Sequence, residues 1–296
     1  MRESSYVLIT AARNEASYIG HTLDSVLAQT VLPKRWVIVS DGSTDETDEI
    51  VKKRTDGLDF VVFIRLRRER NEHEFGSKVY ALRAAFEQLK DVDYEFIGNL
   101  DADISFENTY FEELIRRMHI QPQLGIAGGF IYEQSSGAFK SRPCNEIGYV
   151  SGAVQMFRRD CYVSLGGYTP LKYGGEDTFV LFMAVLKGWT VHCYPDLAAR
   201  HHKVLTDFRG AIRRAFQSGA SDFQLGTDLR FASIKSIRRI VEKPYCFHGV
   251  AHLLGFIWAA LTLPDRGVPD HFSEFYRHRQ WSKFRDLLHF RLRKAG

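Results

Sequence analysis

Apolar and polar positions alternate along the first 130 residues in a repeating order: a short apolar run, a polar cluster, then an amphipathic stretch. Residues 6–10 (YVLIT) are short, apolar and β-branched, which predicts a buried strand. Ile19, Leu23, Val26 and Leu27 follow at helical spacing. Residues 36–40 (WVIVS) predict a second strand, after which Thr44 or Asp45 is placed to cap a helix carrying Ile50 and Val51. Residues 60–66 (FVVFIRL) predict a third strand and 96–100 (FIGNL) a fourth. Between them, residues 78–89 predict a helix with Val79, Leu82, Phe86 and Leu89 inward. Strands separated by helices in this way predict βαβ units and a parallel sheet.

After Gly125 the pattern changes. GIAGGFIYE predicts a strand, and residues 133–147 a flexible polar loop. YVSGAVQMFRRDCYVSLGGY predicts a strand, a short helix and a turn. GGEDTFVLFMAVLKGW predicts a helix with a largely apolar face and an acid pair at its N-terminus, where the helix dipole favours negative charge. TVHCYPDLAARHHK predicts a further strand ending in two histidines. RGAIRRAFQSGASDF then predicts a basic amphipathic helix. Residues 245–263 are almost long enough to span a bilayer, but two histidines, a threonine and two glycines favour a helix lying on the membrane face or packed on the body. The expected organisation is one α/β domain over residues 1–206 and a basic amphipathic helical extension over 207–296.

Composition narrows the class. A hydrophobic content of 45% and a charged content of 26% are those of a soluble globular chain. Four scattered cysteines without a C-x-x-C pair exclude a structural zinc motif and predict reduced thiols. The N-terminus has no long apolar region of the secretory kind, which predicts a cytoplasmic location. Charge is unevenly spread: residues 227–296 hold 13 Lys and Arg against 6 Asp and Glu, while the rest is mildly acidic. A basic tail next to an apolar segment predicts an anionic membrane surface as partner and no nucleic acid. The competing reading, arginines interleaved with Phe275, Tyr276, Trp281 and Phe284 as a base-stacking surface, lacks a use for that apolar segment.

Candidate chemistry collects where the predicted strands end, at AARNE, SDGSTD and LDAD, the edge at which parallel sheets bind ligands. Asp101 and Asp103 put two carboxylates close together, an arrangement that suits a divalent cation, although Asp103 also fits a plain turn or cap.

In this order the motifs resemble a family-2 glycosyltransferase with the GT-A fold, of the bacterial polysaccharide-biosynthesis type, over about residues 5 to 205. The resemblance rests on ITAARNEASYIGHTLDSVLAQT, VIVSDGSTDET, NLDADI, YVSGAVQMFRRDCYVSLGGY and GGEDTFVLFMAVLKGW. It implies an α/β fold with a Rossmann-like, mainly parallel sheet flanked by helices, followed by a C-terminal helical extension. It further implies an inverting transfer from a nucleotide-sugar, UDP-linked in preference to GDP-linked, to a glycan or polyprenyl-linked acceptor at the inner face of the cell membrane. Asp177 becomes the catalytic base, with Glu176 orienting the acceptor. Thr10, Ala11, Arg13 and Glu15 frame the base and ribose mostly through backbone, Asp41 accepts from the nucleobase, and Lys78 is a basic nucleotide contact. Asp103 holds Mn2+ or Mg2+, Asp101 reaches the ribose or the metal, and either His201 or His202 adds a ligand. The family often has proline and tyrosine where this chain has Ala11 and Ala12. A nucleotidyltransferase would show a glycine cluster after the first strand, which AARNEASYIG lacks, and an inactive scaffold would have no need of Asp101, Asp103 and Asp177.

Overall fold

The computed structural model describes residues 5–67, 77–135, 137–203, 208–241 and 245–295. The first block runs β1 (Tyr6–Ala12), α1 (Ile19–Leu27), β2 (Arg35–Asp41), α2 (Thr47–Thr55), β3 (Val61–Leu66), α3 (Ser77–Glu87) and β4 (Phe96–Leu100). Its strands lie in the order β3-β2-β1-β4 and pair in parallel throughout. Tyr6, Leu8, Trp36, Ile38, Phe96 and Leu100 belong to one core cluster with Ile19, Leu23 and Val26 of α1. α3 packs on the same central strands with Val79, Ala81, Leu82 and Ala85 buried. Continuous apolar runs are what strands covered on both faces require.

The second block holds β5 (Ile104–Phe106), α4 (Tyr110–Ile120), β6 (Leu124–Ser135), β7 (Ala138–Ser141), β8 (Val154–Arg158), α5 (Arg159–Leu165), α6 (Glu176–Leu186) and β9 (Thr190–His201). Here the sheet becomes mixed: β8 runs against β4, β6 against β8, β9 parallel to β6, and β5 against β9. The change of pairing falls where the sequence pattern changes, after Gly125.

Two local expectations are corrected. The stretch 133–147 is a loop only in part: residues 133–135 and 138–141 belong to the hairpin of β6 and β7, with Tyr132 opposite Ser141 and Gln134 opposite Phe139, and the loop is confined to 142–147 beyond it. Gly137 supplies a left-handed φ of 81° at the turn, and Arg142 pairs with Glu133 at 2.7 Å at its base. The segment reads as loop because an exposed ribbon needs no apolar face. The cap of α2 also differs. Glu46 occupies the cap position, while the Asp45 carboxylate accepts from the Thr47 amide at 3.1 Å.

The chain divides into two compact units, residues 1–170 with 176–204, and residues 171–175 with 205–296. The expected boundary at residues 206 and 207 lies outside the described residues. The second unit consists of α7 (Phe208–Gln224), α8 (Leu229–Arg239), α9 (Phe247–Thr262) and α10 (Asp270–Ala295). A buried polar cluster ties three of them together: Asp222 accepts from Lys235 Nζ at 2.7 Å and pairs with His252 Nε2 at 2.9 Å, and His252 Nδ1 meets Ser236 Oγ at 2.8 Å. Burial pushes the Asp222 carboxyl up, but the Lys235 charge and the His252 hydrogen bond outweigh it and hold it below its usual range. Burial also lowers His252, against the pull of Asp222. Two tail aromatics are used internally, Trp281 donating to Asp228 at 2.7 Å with its ring against Phe231 and Phe284. Among the described residues no helix is long and apolar enough to cross a membrane.

Candidate active site

The parallel strands deliver their C-terminal loops to one edge of the sheet. The loops after β1 and β2 are laced together there. Asn14 sits at a left-handed φ of 53° and accepts from the Thr44 amide at 2.8 Å. The Glu15 amide donates to Thr47 Oγ1 at 2.8 Å, and the Ala16 amide to Asp45 at 3.1 Å. Such side chain to backbone bonds hold two exposed loops in a single shape. Asn14 and Thr47 were not singled out from sequence, and Asp45 only as a helix cap; the density of Asx and hydroxyl residues in DGSTDET was the available signal.

Behind this lattice lies a cavity lined by Ala11, Ala12, Arg13 and Glu15 on one side and Asp41, Lys78, Asp101, Ala102 and Asp103 on the other. It gathers all the expected nucleotide contacts except Thr10. The Thr10 side chain is fully buried and accepts from the Trp36 indole at 3.0 Å, so its hydroxyl serves the core. Glu15 bonds Lys203 Nζ at 2.5 Å through one oxygen, while the other is buried without a hydrogen-bond partner. Burial raises the Glu15 carboxyl, with Lys203 opposing.

A second cavity adjoins the first and shares Lys78 and Asp101 with it. Its lining includes Arg142, Gly152, Tyr168, Glu176, Asp177 and His201. Asp177, at the start of α6, accepts from the Thr178 amide at 2.8 Å and from the Gly152 amide at 3.2 Å. A Cβ at position 152 would come within 2.7 Å of that carboxylate, so only glycine lets the two approach. Asn99, buried just ahead of the Asp pair, donates to the Gly152 carbonyl at 2.7 Å and fixes the same turn. Burial raises Glu176, and the Asp177 charge beside it adds to the effect. Arg142, Tyr168, Asn99 and Gly152 were missed from sequence. A polar residue inside the apolar run FIGNL was the one readable clue.

Lys78 donates to Asp101 at 2.5 Å on the wall common to both cavities. Burial works against the ammonium, but Asp101 and then Glu176 and Asp177 outweigh it and push Lys78 up to about 12. Burial raises Asp101, helped by the Asp103 charge and opposed by Lys78. One ammonium thus serves several carboxylates.

The two histidines part company. The His201 ring lies 3.0 Å from Asp103 Oδ2, because Ile104 of β5 pairs with His201 of β9. His202 turns the other way, to Ser105 Oγ at 2.7 Å, and stacks on His21 at 4.2 Å. Burial raises Asp103, but the His201 hydrogen bond and charge outweigh it and leave the carboxyl lowered. His201 Nδ1 is buried without a hydrogen-bond partner, 4.0 Å from Glu133. A carboxylate and an imidazole side by side suit Mn2+ better than Mg2+, which takes oxygen ligands. Among the described residues no three His, Cys, Asp or Glu side chains form a metal cage, so the pair fits an open site that a substrate's phosphates would complete.

Comparison with known proteins agrees with this architecture. Residues 7–205 match the model of glycosyl transferase family 2. The chain is similar to a poly-beta-1,6-N-acetyl-D-glucosamine synthase of Staphylococcus aureus, 25% identical over 205 residues, covering 63% of this chain and 47% of that protein. The corresponding Staphylococcus epidermidis synthase is 24% identical over 204 residues, covering 63% of this chain and 45% of its own. The chain therefore spans about half the length of these relatives. Among solved structures, a mannosyltransferase from Pyrobaculum calidifontis in complex with GDP-Man and Mn2+ superposes with a TM-score of 0.59 at 18% identity, covering 88% of this chain and 74% of that one. TarS of S. aureus in complex with UDP-GlcNAc gives a TM-score of 0.54 at 14% identity, covering 88% and 73%.

Proposed function

The chain belongs to glycosyl transferase family 2, and we propose that it is an inverting, metal-dependent glycosyltransferase. It moves a sugar from a nucleotide-sugar donor, UDP-linked in preference to GDP-linked, to a glycan or polyprenyl-linked acceptor in cell-surface polysaccharide synthesis. The observation that carries the reading is the pair of cavities meeting at Lys78 and Asp101, one reaching Asp103 and the other Asp177. A donor and an acceptor in two such cavities meet at that shared wall.

In the donor cavity the Asp41 side chain receives the nucleobase, the Arg13 and Ala11 backbone borders it, and the unpaired Glu15 oxygen accepts from a ribose hydroxyl. Asp103 and His201 hold the divalent cation, which when bound supplies charge neutralisation for the diphosphate. Lys78 adds a fixed positive charge on the same side. In the acceptor cavity, Asp177 takes the proton of the attacking hydroxyl. The hydroxyl oxygen bonds to the anomeric carbon from the face opposite the diphosphate. The bond from that carbon to the phosphate oxygen breaks, and its electron pair leaves with the nucleotide. Configuration inverts. The two amides that hold Asp177 keep its carboxylate aimed, and Glu176 orients the acceptor.

The two solved neighbours divide on the base, TarS holding UDP-GlcNAc and the mannosyltransferase GDP-Man, and preference for UDP is supported by the relatives named as N-acetylglucosamine polymer synthases. The second unit, basic and rich in apolar surface, supports work as a peripheral protein on the inner face of the membrane. Calorimetry of UDP and GDP, each with Mn2+ and with EDTA, tests the donor site. Metal-dependent binding of UDP is expected; no binding of either nucleotide to the folded protein with Mn2+ present would overturn it.

A further inference from the structure

We infer that the outward face of α9 is a membrane-docking surface, lying flat in the interface of an anionic bilayer with arginines of α7 and α8 on lipid phosphates. This rests on the membrane part of the proposed function and gives it a definite surface.

The observation is an inversion of the usual helix. Phe247, Val250, Leu254, Ile257, Trp258 and Leu261 are all exposed, from 41% for Ile257 to 79% for Leu261. At about 100° per residue they fall on a single arc roughly 100° wide. No charged residue occurs anywhere from Phe247 to Thr262. The polar groups that a water-facing arc would carry are on the other side: His252 is fully buried in the Asp222 cluster. Ile237, Val241 and Tyr245, on the chain leading into α9, are exposed as well, and Phe208 meets Phe247 ring to ring at 6.0 Å. Contiguous apolar surface on this scale is not left to water without a partner.

The helix is built to lie on a bilayer, not to cross one. Its 16 residues span about 24 Å, short of the roughly 30 Å of a hydrocarbon core. Its inner face is fixed by backbone contact. A Cβ on Gly219 would sit 1.8 Å from the His252 carbonyl, and one on Gly255 would sit 1.8 Å from the Phe216 carbonyl. Turning α9 outward would carry His252 into lipid and strip Asp222 of a partner.

Charge decides between occupants. Residues 208–241 hold six Arg and one Lys against two Asp; Lys235 and Asp222 neutralise each other within the cluster, Asp228 holds Trp281, and Arg209, Arg230 and Arg238 are exposed. A second copy laid on this face would bring like-charged rims together. An anionic bilayer accepts the apolar arc, with tryptophan at the headgroup level and arginines on phosphates.

The test is sedimentation of the full chain with vesicles of phosphatidylglycerol and phosphatidylcholine, and with phosphatidylcholine alone, at low and high salt. Wild type is expected to bind the anionic vesicles, more weakly at high salt. A Leu254→Gln, Trp258→Gln double variant is expected to bind about 10-fold more weakly or less, at unchanged Tm and unchanged UDP binding. Brominated acyl chains should quench wild-type fluorescence more than that of Trp258→Phe. Wild-type binding that the double variant retains in full would overturn the α9 assignment while leaving membrane association standing. Failure of wild type to bind any vesicle would overturn both, with nucleotide calorimetry still judging the transferase reading. A wild-type dimer that becomes monomeric in the double variant would make the occupant a second copy and overturn the assignment as well.

Discussion

The wall between the two cavities and the outer face of α9 break the same rule in opposite directions. Around Asp101 and Asp103 charged groups are drawn inward, with Asp103 only 7% exposed. On α9 large apolar groups are turned outward. Neither departure helps the chain fold, since buried like charges repel and exposed apolar side chains gain nothing from water. On the proposed reading each is half an interface whose other half comes from outside the chain: a cation with a diphosphate in one case, a lipid surface in the other. The buried Asp222 cluster is the control, because there the inward charges complete one another within the fold.

The contrast yields graded expectations. Asp177→Asn is the most severe, lowering turnover by about 10²- to 10⁴-fold while UDP still binds, as removal of a general base does. Near wild-type turnover in a steady-state assay would dismiss Asp177 from that role. Next is Asp222→Asn, which leaves Lys235 and His252 without their partner and is expected to cost about 3–5 kcal/mol in the second unit, read by thermal or urea unfolding.

The same cluster sets a pH dependence. His252 and Asp222 both have lowered values in the folded chain, so the unfolded chain binds more protons in acid. Their contribution is fully present above the usual His value of 6.5. It drains away below that value, with the Asp222 share following below its usual 3.8. An acid titration of unfolding midpoints in wild type and Asp222→Asn should therefore converge only once pH falls below 3.8, where the Asp222 share is lost.

Smaller again, His201→Ala should weaken Mn2+-dependent UDP binding by about 10- to 100-fold, whereas His202→Ala should leave it within a few-fold. Equal losses in calorimetry would mean that the pairing seen at Asp103 is not the one used. Smallest is Leu261→Gln, expected to shift stability by less than about 0.5 kcal/mol, because that side chain is already in water. A large loss would show that the apolar arc supports the fold.

How much of this was readable beforehand differs by region. The βαβ block was, since each of its strands is an apolar run and each helix has one apolar face. Asp101 and Asp103 stand out as candidates because two carboxylates end an apolar run, whereas Asp177 stands out through the family resemblance, its place at a helix N-terminus also fitting a plain cap. Which of His201 and His202 lies beside Asp103 was not legible, because it depends on which residue of β9 pairs with Ile104, and register is a property of two strands. The direction of the Thr10 hydroxyl was not readable for a related reason. On a strand covered on both faces a hydroxyl can point to either side, and Trp36 claims this one. Residues 171–175 join the second unit though 176–186 join the first, and no local signal marks such an exchange.

The glycine contacts between α7 and α9 have a genetic consequence. One hydrogen exchanged for a methyl at Gly219 or Gly255 would place carbon 1.8 Å from a carbonyl oxygen, well inside contact distance, and the helices would have to part. One of those carbonyls belongs to His252, so the wedge would also loosen the polar cluster. Either alanine allele should behave as temperature-sensitive, giving cells in which the tail fails on warming while the nucleotide-facing loops stay laced.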